Sequence, residues 1–299
     1  MRFRFVGKLQ NFSFIAPALL IFSLFYIYPF FYTFILSFQQ YDFIAAPRFI
    51  GLTNFTETLF HDEEWWNSIY NGAFITVWAI LFQNILAFML ALSVDKIVRL
   101  RKFYRVVFFL LPVLSEIIIG LLMKQLLTSE PVGRDVLNHW LRNLGLGVMA
   151  QDWLGKDRVL LTTALVHCWK GFGWAFVILL AGLQNIPEQL YEAARIDGAN
   201  AWQTFCRITV PLLMPVIALV LVLTILGTMQ AFAMILALTG GAGGLTEVPV
   251  MRIYNHLRFR LVGLACAEGV ILGIILVVIS FSMLFISKKI RQKYGVLSN

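Results

Sequence analysis

I-P-E-Q-L-Y-E-A-A-R-I-D-G-A-N-A-W-Q-T-F-C-R-I-T-V-P-L-L-M-P, residues 186–215, is the long polar interruption in the second half of a very apolar chain. Pro187 suits a first helical position, where its missing N–H would have no intrahelical partner. Glu188 follows in the first turn, which the helix dipole makes favourable for negative charge. Glu192, Ala193 and Ala194 are good helix formers, and Gly198 can take the left-handed conformation that ends a helix. A second helical run, Ala199 to Ile208, leads to Pro211 and Pro215. The stretch predicts a helix–turn–helix on the membrane surface between two spans.

The rest of the composition places the chain in a bilayer. Of 299 residues, 60% are hydrophobic and only 13% charged, and the mean hydropathy is +0.80. Soluble domains carry roughly 25% charged residues. The net charge of +8 does not require nucleic acid, because basic residues of membrane proteins collect in cytoplasmic loops; no nucleic-acid partner is expected. Cys168, Cys206 and Cys266 are scattered and predict neither a disulfide framework nor a zinc site. No G-x-x-x-x-G-K-[ST] occurs, so no ATP site and no cofactor of its own are expected in this chain.

Glu192-Ala193-Ala194, Asp197-Gly198-Ala199, Phe205, Ile208 and Pro211 resemble the EAA loop of binding-protein-dependent ABC importer permeases. Val210 stands where that pattern usually has Leu. F-I-G-L-T-N-F (Phe49 to Phe55), the set Gly133, Asn138, Leu141 and Gly145, and the Gly-rich loop beginning at Thr239 resemble the external segments of sugar permeases, with Ala242 in place of a usual proline. The nearest likeness is to the maltose and glycerol-phosphate type, the first of two related permease subunits. The resemblance implies an all-α integral membrane fold of six transmembrane helices, with a cytoplasmic coupling helix-turn-helix between the fourth and fifth. It implies as partners a second related permease, two ABC ATPase subunits that bind ATP and Mg, an external solute-binding protein and a carbohydrate substrate. It implies residence in a bacterial cytoplasmic (inner) membrane. Its coupling set comprises Glu188, Glu192, Ala193, Ala194, Arg195, Asp197, Gly198, Phe205 and Pro211.

Taken in order, the apolar run Phe12 to Phe38 is too long for a signal peptide and reads as a retained span. Further spans are expected at about Ser68–Val94, Val106–Leu127, Val159–Leu183, Pro211–Leu238 and Leu264–Ile286. The chain divides into residues 1–66 (N-terminal segment, first span and external loop), 67–287 (permease domain) and 288–299 (basic tail). Six spans put both termini on one side. Fourteen Lys and Arg fall on the side of the termini, including Arg2, Arg4, Lys8, Arg99, Lys289, Arg291 and Lys293, against eight opposite, including Arg134. The richer side, which also carries residues 186–215, is therefore expected to be cytoplasmic.

Charges inside spans are costly and default to functional candidates. Glu116 lies about ten residues into the third span, roughly 15 Å deep, and Lys170 about eleven into the fourth, roughly 16 Å. The two either pair or line a path; Lys124, nearer the span's end, snorkels. His167, Lys170 and Trp174 share a helical face, and a Trp ring beside polar donors suits a sugar. Thr224, Thr228 and Gln230 are polar residues of the fifth span that either touch substrate or bond between helices. His61 beside Asp62, Glu63 and Glu64 tempts a metal reading, but adjacent residues do not share a helix face, so no metal site is expected. A permease for a non-sugar solute is the alternative within transport. A secondary transporter or channel would often show an internal repeat, and a membrane-embedded enzyme would need a ligand or nucleophile cluster; the sequence shows neither.

Overall fold

The computed structural model describes residues 15–96, 100–129 and 135–293. Arg2, Arg4, Lys8, Arg99, Gly133 and Arg134 lie outside the described residues, as do the side chains of Lys289, Arg291 and Lys293. In chain order the elements are α1 (Ile15–Leu36), a hairpin of β1 (Gln39–Gln40) and β2 (Arg48–Phe49), and α2 (Thr53–Thr56), which continues as a π turn (Glu57–His61). Next come α3 (Glu63–Lys96), α4 (Arg101–Val113), α5 (Glu116–Leu127), α6 (Val136–Asn143) and α7 (Val159–Gln184). The chain ends with α8 (Glu188–Ile196), α9 (Ala201–Met229), α10 (Ala233–Thr239), α11 (Pro249–Arg258) and α12 (Val262–Lys293).

Five of these helices are long and apolar enough to cross a membrane, and six spans result if α4 and α5 count as one. Pro29 and Pro211 sit inside two of the spans. A proline lacks its N–H and its ring crowds the carbonyl four residues back. Those carbonyls belong to Phe25 and Arg207, and each falls within a π-helical segment, Ser23–Ile27 and Phe205–Thr209. The widened turn accommodates the ring without ending the helix.

Two compact units result. The first contains residues up to 62 together with 253–274. Here Leu36 packs with Val262 and Cys266, and Val262 N–H donates to the Tyr41 carbonyl at 3.0 Å. Asn54 Nδ2 donates to the carbonyls of Ser37 and Gln39 at 2.9 and 3.0 Å, fixing the end of α1 to the hairpin. In the hairpin loop, N–H groups of Ala45 and Ile44 donate to Asp42 and hold its carboxyl below the ordinary carboxylate range.

The second unit contains residues 63–252 and the chain from 275 on. Its centre is α7, which contributes to two apolar cores. Ala164 and Val166 join Ile75, Ile119 and the α10 residues Met234, Ile235 and Leu238. Phe172, Phe176, Leu179 and Leu180 join Ala87 and Ala91 of α3 and Leu213 and Val220 of α9. At Gly173 the backbones of α7 and α4 approach so closely that a Cβ would overlap the Phe108 carbonyl.

Three sequence expectations are corrected. The third span is not one helix: α4 and α5 meet at an angle of 87° across Leu114–Ser115. Pro112 weakens the ladder just ahead, and Leu114 and Ser115 turn extended (ψ 144° and 132°). The fifth span ends at Met229 rather than about Leu238, because the chain breaks at 230–232 and α10 departs to pack on α5. The run from Ala199 to Ile208 is not a separate second helix; from Ala201 it continues without a break into α9.

Candidate functional site

Residues 186–200 form a helix and a tight reversal. Pro187 stands at the cap of α8 rather than inside its first turn (φ −59°, ψ 129°), and Glu188 opens the helix. The helix closes as a Schellman motif: Gly198 N–H donates to the Arg195 carbonyl at 3.2 Å and Ala199 N–H to that of Ala194 at 2.9 Å. Gly198 has φ +77°, which a side chain would strain. Asn200 then caps α9 reciprocally with Gln203, two hydrogen bonds of 2.9 Å each.

Ala194 is the buried residue of α8, while Glu188, Glu192, Ala193, Arg195 and Asp197 are exposed. Tyr191 Oη lies 3.2 Å from Thr209 Oγ1, and Phe205 packs against Trp202 and Phe88, so the reversal is tied to α9 and α3. Pro211 is partly buried. Ile196 and Trp202, on either side of the turn, are 87% and 71% exposed. Two large apolar side chains beside a ring of charges, on a stiff turn, suit contact with another protein.

A second constellation lies on α7. Lys170 Nζ sits 3.2 Å from Glu116 Oε1; the lysine is 13% exposed and the carboxylate 46%. Glu116 is not midway along a helix but the first residue of α5, where the helix dipole stabilises a carboxylate. The depth of roughly 15 Å assumed a straight third span, which the bend removes. His167 and Trp174 flank Lys170 on the same helix and are partly buried. Gln83 of α3 faces Gly171, next to the pair. Lys124 is exposed near the end of α5.

Thr224 and Thr228 lie elsewhere. Thr224 Oγ1 exchanges hydrogen bonds of 3.0 and 3.1 Å with Asn84, and Thr228 Oγ1 meets Thr76 Oγ1 at 2.6 Å, all four residues buried. They join α9 to α3. Gln230 is exposed at the end of α9. The structure thus brings Glu116, His167, Lys170 and Trp174 to one neighbourhood and leaves Thr224, Thr228 and Gln230 outside it.

Three groupings were missed in the sequence. Asn138 is a hub: its Oδ1 accepts from Gln151 N–H at 3.1 Å and Trp153 Nε1–H at 2.8 Å, and its Nδ2 donates to the Gln151 carbonyl at 2.9 Å. Arg252 bridges Glu64 at 2.6 Å and Glu247 at 3.7 Å. Glu268, in the second turn of α12, is wholly buried, and His256 Nδ1 lies 3.0 Å from its Oε1. The rule that singled out Glu116, a carboxylate within an apolar span, would have found Glu268 too.

Comparison with known proteins gives a consistent picture. The family described as "Binding-protein-dependent transport system inner membrane component" matches residues 83–294. The chain is 31% identical to the sn-glycerol-3-phosphate transport system permease protein of Agrobacterium fabrum, covering 97% of this chain and 98% of that one. It is also 31% identical to a probable starch degradation products transport system permease protein of Thermoanaerobacterium thermosulfurigenes, covering 92% and 93%. Among solved structures, a chain of a bacterial ABC transporter that imports the acidic polysaccharide alginate superposes with a TM-score of 0.79 at 25% identity, over 96% of this chain and 99% of that one.

Proposed function

The chain belongs to the family of inner membrane components of binding-protein-dependent transport systems, and on that premise we propose that it is the permease subunit of an ATP-driven carbohydrate importer. The relatives carry starch products, glycerol phosphate and alginate by their names, which favours a hydroxyl-rich solute, neutral or acidic. The working assembly comprises this chain, a second related permease, two ATPase subunits that bind ATP and Mg, and an external solute-binding protein. Both termini and the reversal at Gly198 face the cytoplasm, a reading that the Lys and Arg asymmetry supports.

The observation that carries the mechanism is the reversal at Gly198. Capped on both sides and continuous with α9, it can pass a push at Ile196 and Trp202 into a span without yielding locally. Glu188, Glu192, Ala193, Ala194, Arg195, Asp197, Gly198, Phe205 and Pro211 make this coupling element. ATP closure of the ATPase pair drives the spans between inward-open and outward-open states around a site near the midplane. Glu116, His167, Lys170 and Trp174 line that path: the indole offers an apolar face to sugar C–H groups, and the ion pair offers a donor and an acceptor to hydroxyls. Thr224 and Thr228 hold α3 to α9 apart from that cluster, and Gln230 is exposed at the end of α9.

The test is co-purification in mild detergent with the neighbouring gene products, in the parent and in Glu192→Lys and Gly198→Arg. The parent should bring down an ATPase and a second membrane subunit. The variants should lose the ATPase, or lose solute-stimulated ATP hydrolysis by more than tenfold. Parent-like coupling in both variants would end the proposal, and an ATPase absent even with the parent would do the same.

A further inference from the structure

We infer that Asp62, His256 and Glu268 form a binding site for one divalent transition cation of the zinc class. A carboxylate oxygen of Asp62, a ring nitrogen of His256 and a carboxylate oxygen of Glu268 all lie within 4.8 Å of one another. They come from three separate places in the first unit: Asp62 caps the π turn that follows α2, His256 lies on α11, and Glu268 lies on α12. One imidazole with two carboxylates is a donor set of borderline hardness, which suits zinc better than calcium or magnesium, whose sites are built of oxygen.

The distances fit an ion. Zinc bonds to nitrogen and to carboxylate oxygen are about 2.1 Å, so two donors 3.0 Å apart, as His256 Nδ1 and Glu268 Oε1 are, subtend about 90° at a shared metal. Two donors on one such ion can be at most about 4.2 Å apart, close to the 4.8 Å within which all three ligand atoms lie. Charge points the same way. Two carboxylates beside one imidazole make the cluster attractive to a cation. Glu268 is wholly buried, where a carboxylate is costly unless it is paired or coordinates a metal. Three protein ligands leave a position for water, so the ion would fasten the start of α12 to the chain just ahead of α3 without closing the site.

The experiment uses the full chain in detergent, stripped with chelator and titrated with zinc alone by calorimetry, with bound metal counted by mass spectrometry. One zinc per chain is expected, not displaced by equal calcium or magnesium. Asp62→Asn, His256→Gln and Glu268→Gln should each weaken binding at least tenfold, and His61→Gln should not change it. Zinc should raise the melting temperature of the parent and not that of Asp62→Asn. Because Asp62 is partly exposed, that variant reports even if Glu268→Gln fails to fold. No zinc bound by the parent, or parent affinity retained in Asp62→Asn, would overturn the site and leave His256 and Glu268 as a plain ion pair. None of these readouts depends on transport or on an ATPase.

Discussion

Between α3 and α9, Thr76 meets Thr228 and Asn84 meets Thr224, all buried and all neutral. Between α5 and α7, Glu116 meets Lys170, both charged, with the carboxylate half exposed. The neutral contacts lie within hydrogen-bond reach of one another, and their hydroxyls alternatively donate to their own helices, Thr76 to the Gly72 carbonyl and Thr228 to the Thr224 carbonyl. All four side chains are buried, away from a passing solute. In the charged contact one partner keeps an exposed carboxylate, at a place where the backbone has already turned through 87°. A transporter needs seams that stay and seams that change, and side-chain chemistry separates the two here.

The comparison breaks first at Gly173, which seats α4 on α7 just ahead of the bend and so places Glu116. Gly173→Leu should cost about 3 kcal/mol, by forcing α4 away from α7. The measurement is the yield of folded chain and its melting temperature; a parent-like melt would mean the close approach is not needed. Next, the two halves of the ion pair should differ. Glu116→Gln strands the nearly buried Lys170 and should cost about 2 kcal/mol, whereas Lys170→Met leaves a half-exposed carboxylate and should cost about 1 kcal/mol. Equal melting temperatures for the two variants would erase the asymmetry. Both should lower transport more than assembly. The smallest effect belongs to the closed seam. A double-mutant cycle with Thr76→Val and Thr228→Val should return a coupling of about 0.6 kcal/mol with transport affinity for solute unchanged. A changed solute affinity would move this seam into the path.

Much of this was legible in the sequence because bilayers reward simple patterns. The first, second and fourth spans follow from unbroken apolar runs, and the Gly198 turn from a glycine that alone fits a left-handed cap. The bend after Pro112 was not legible. Hydropathy adds up composition over residues 106–127 and is blind to direction, and prolines such as Pro29 and Pro211 pass through spans without breaking them. The end of α9 at Met229 was hidden likewise, since Ala233–Thr239 is as apolar as the helix it leaves. Lys170 and Glu116 were found by cost of burial, but that they pair depends on where α5 starts, which is a tertiary fact.

The bend also has a consequence for biogenesis. Straight, the 13 residues of α4 and the 12 of α5 would reach about 38 Å, ample for a hydrocarbon core of about 30 Å; bent by 87°, they reach about 27 Å. Insertion machinery meets this segment as a plain apolar run, long before Ala233–Thr239, the helix on which α5 rests, has been synthesised. The seat of α5 on α10 is therefore completed late, once a stretch more than a hundred residues downstream has been made.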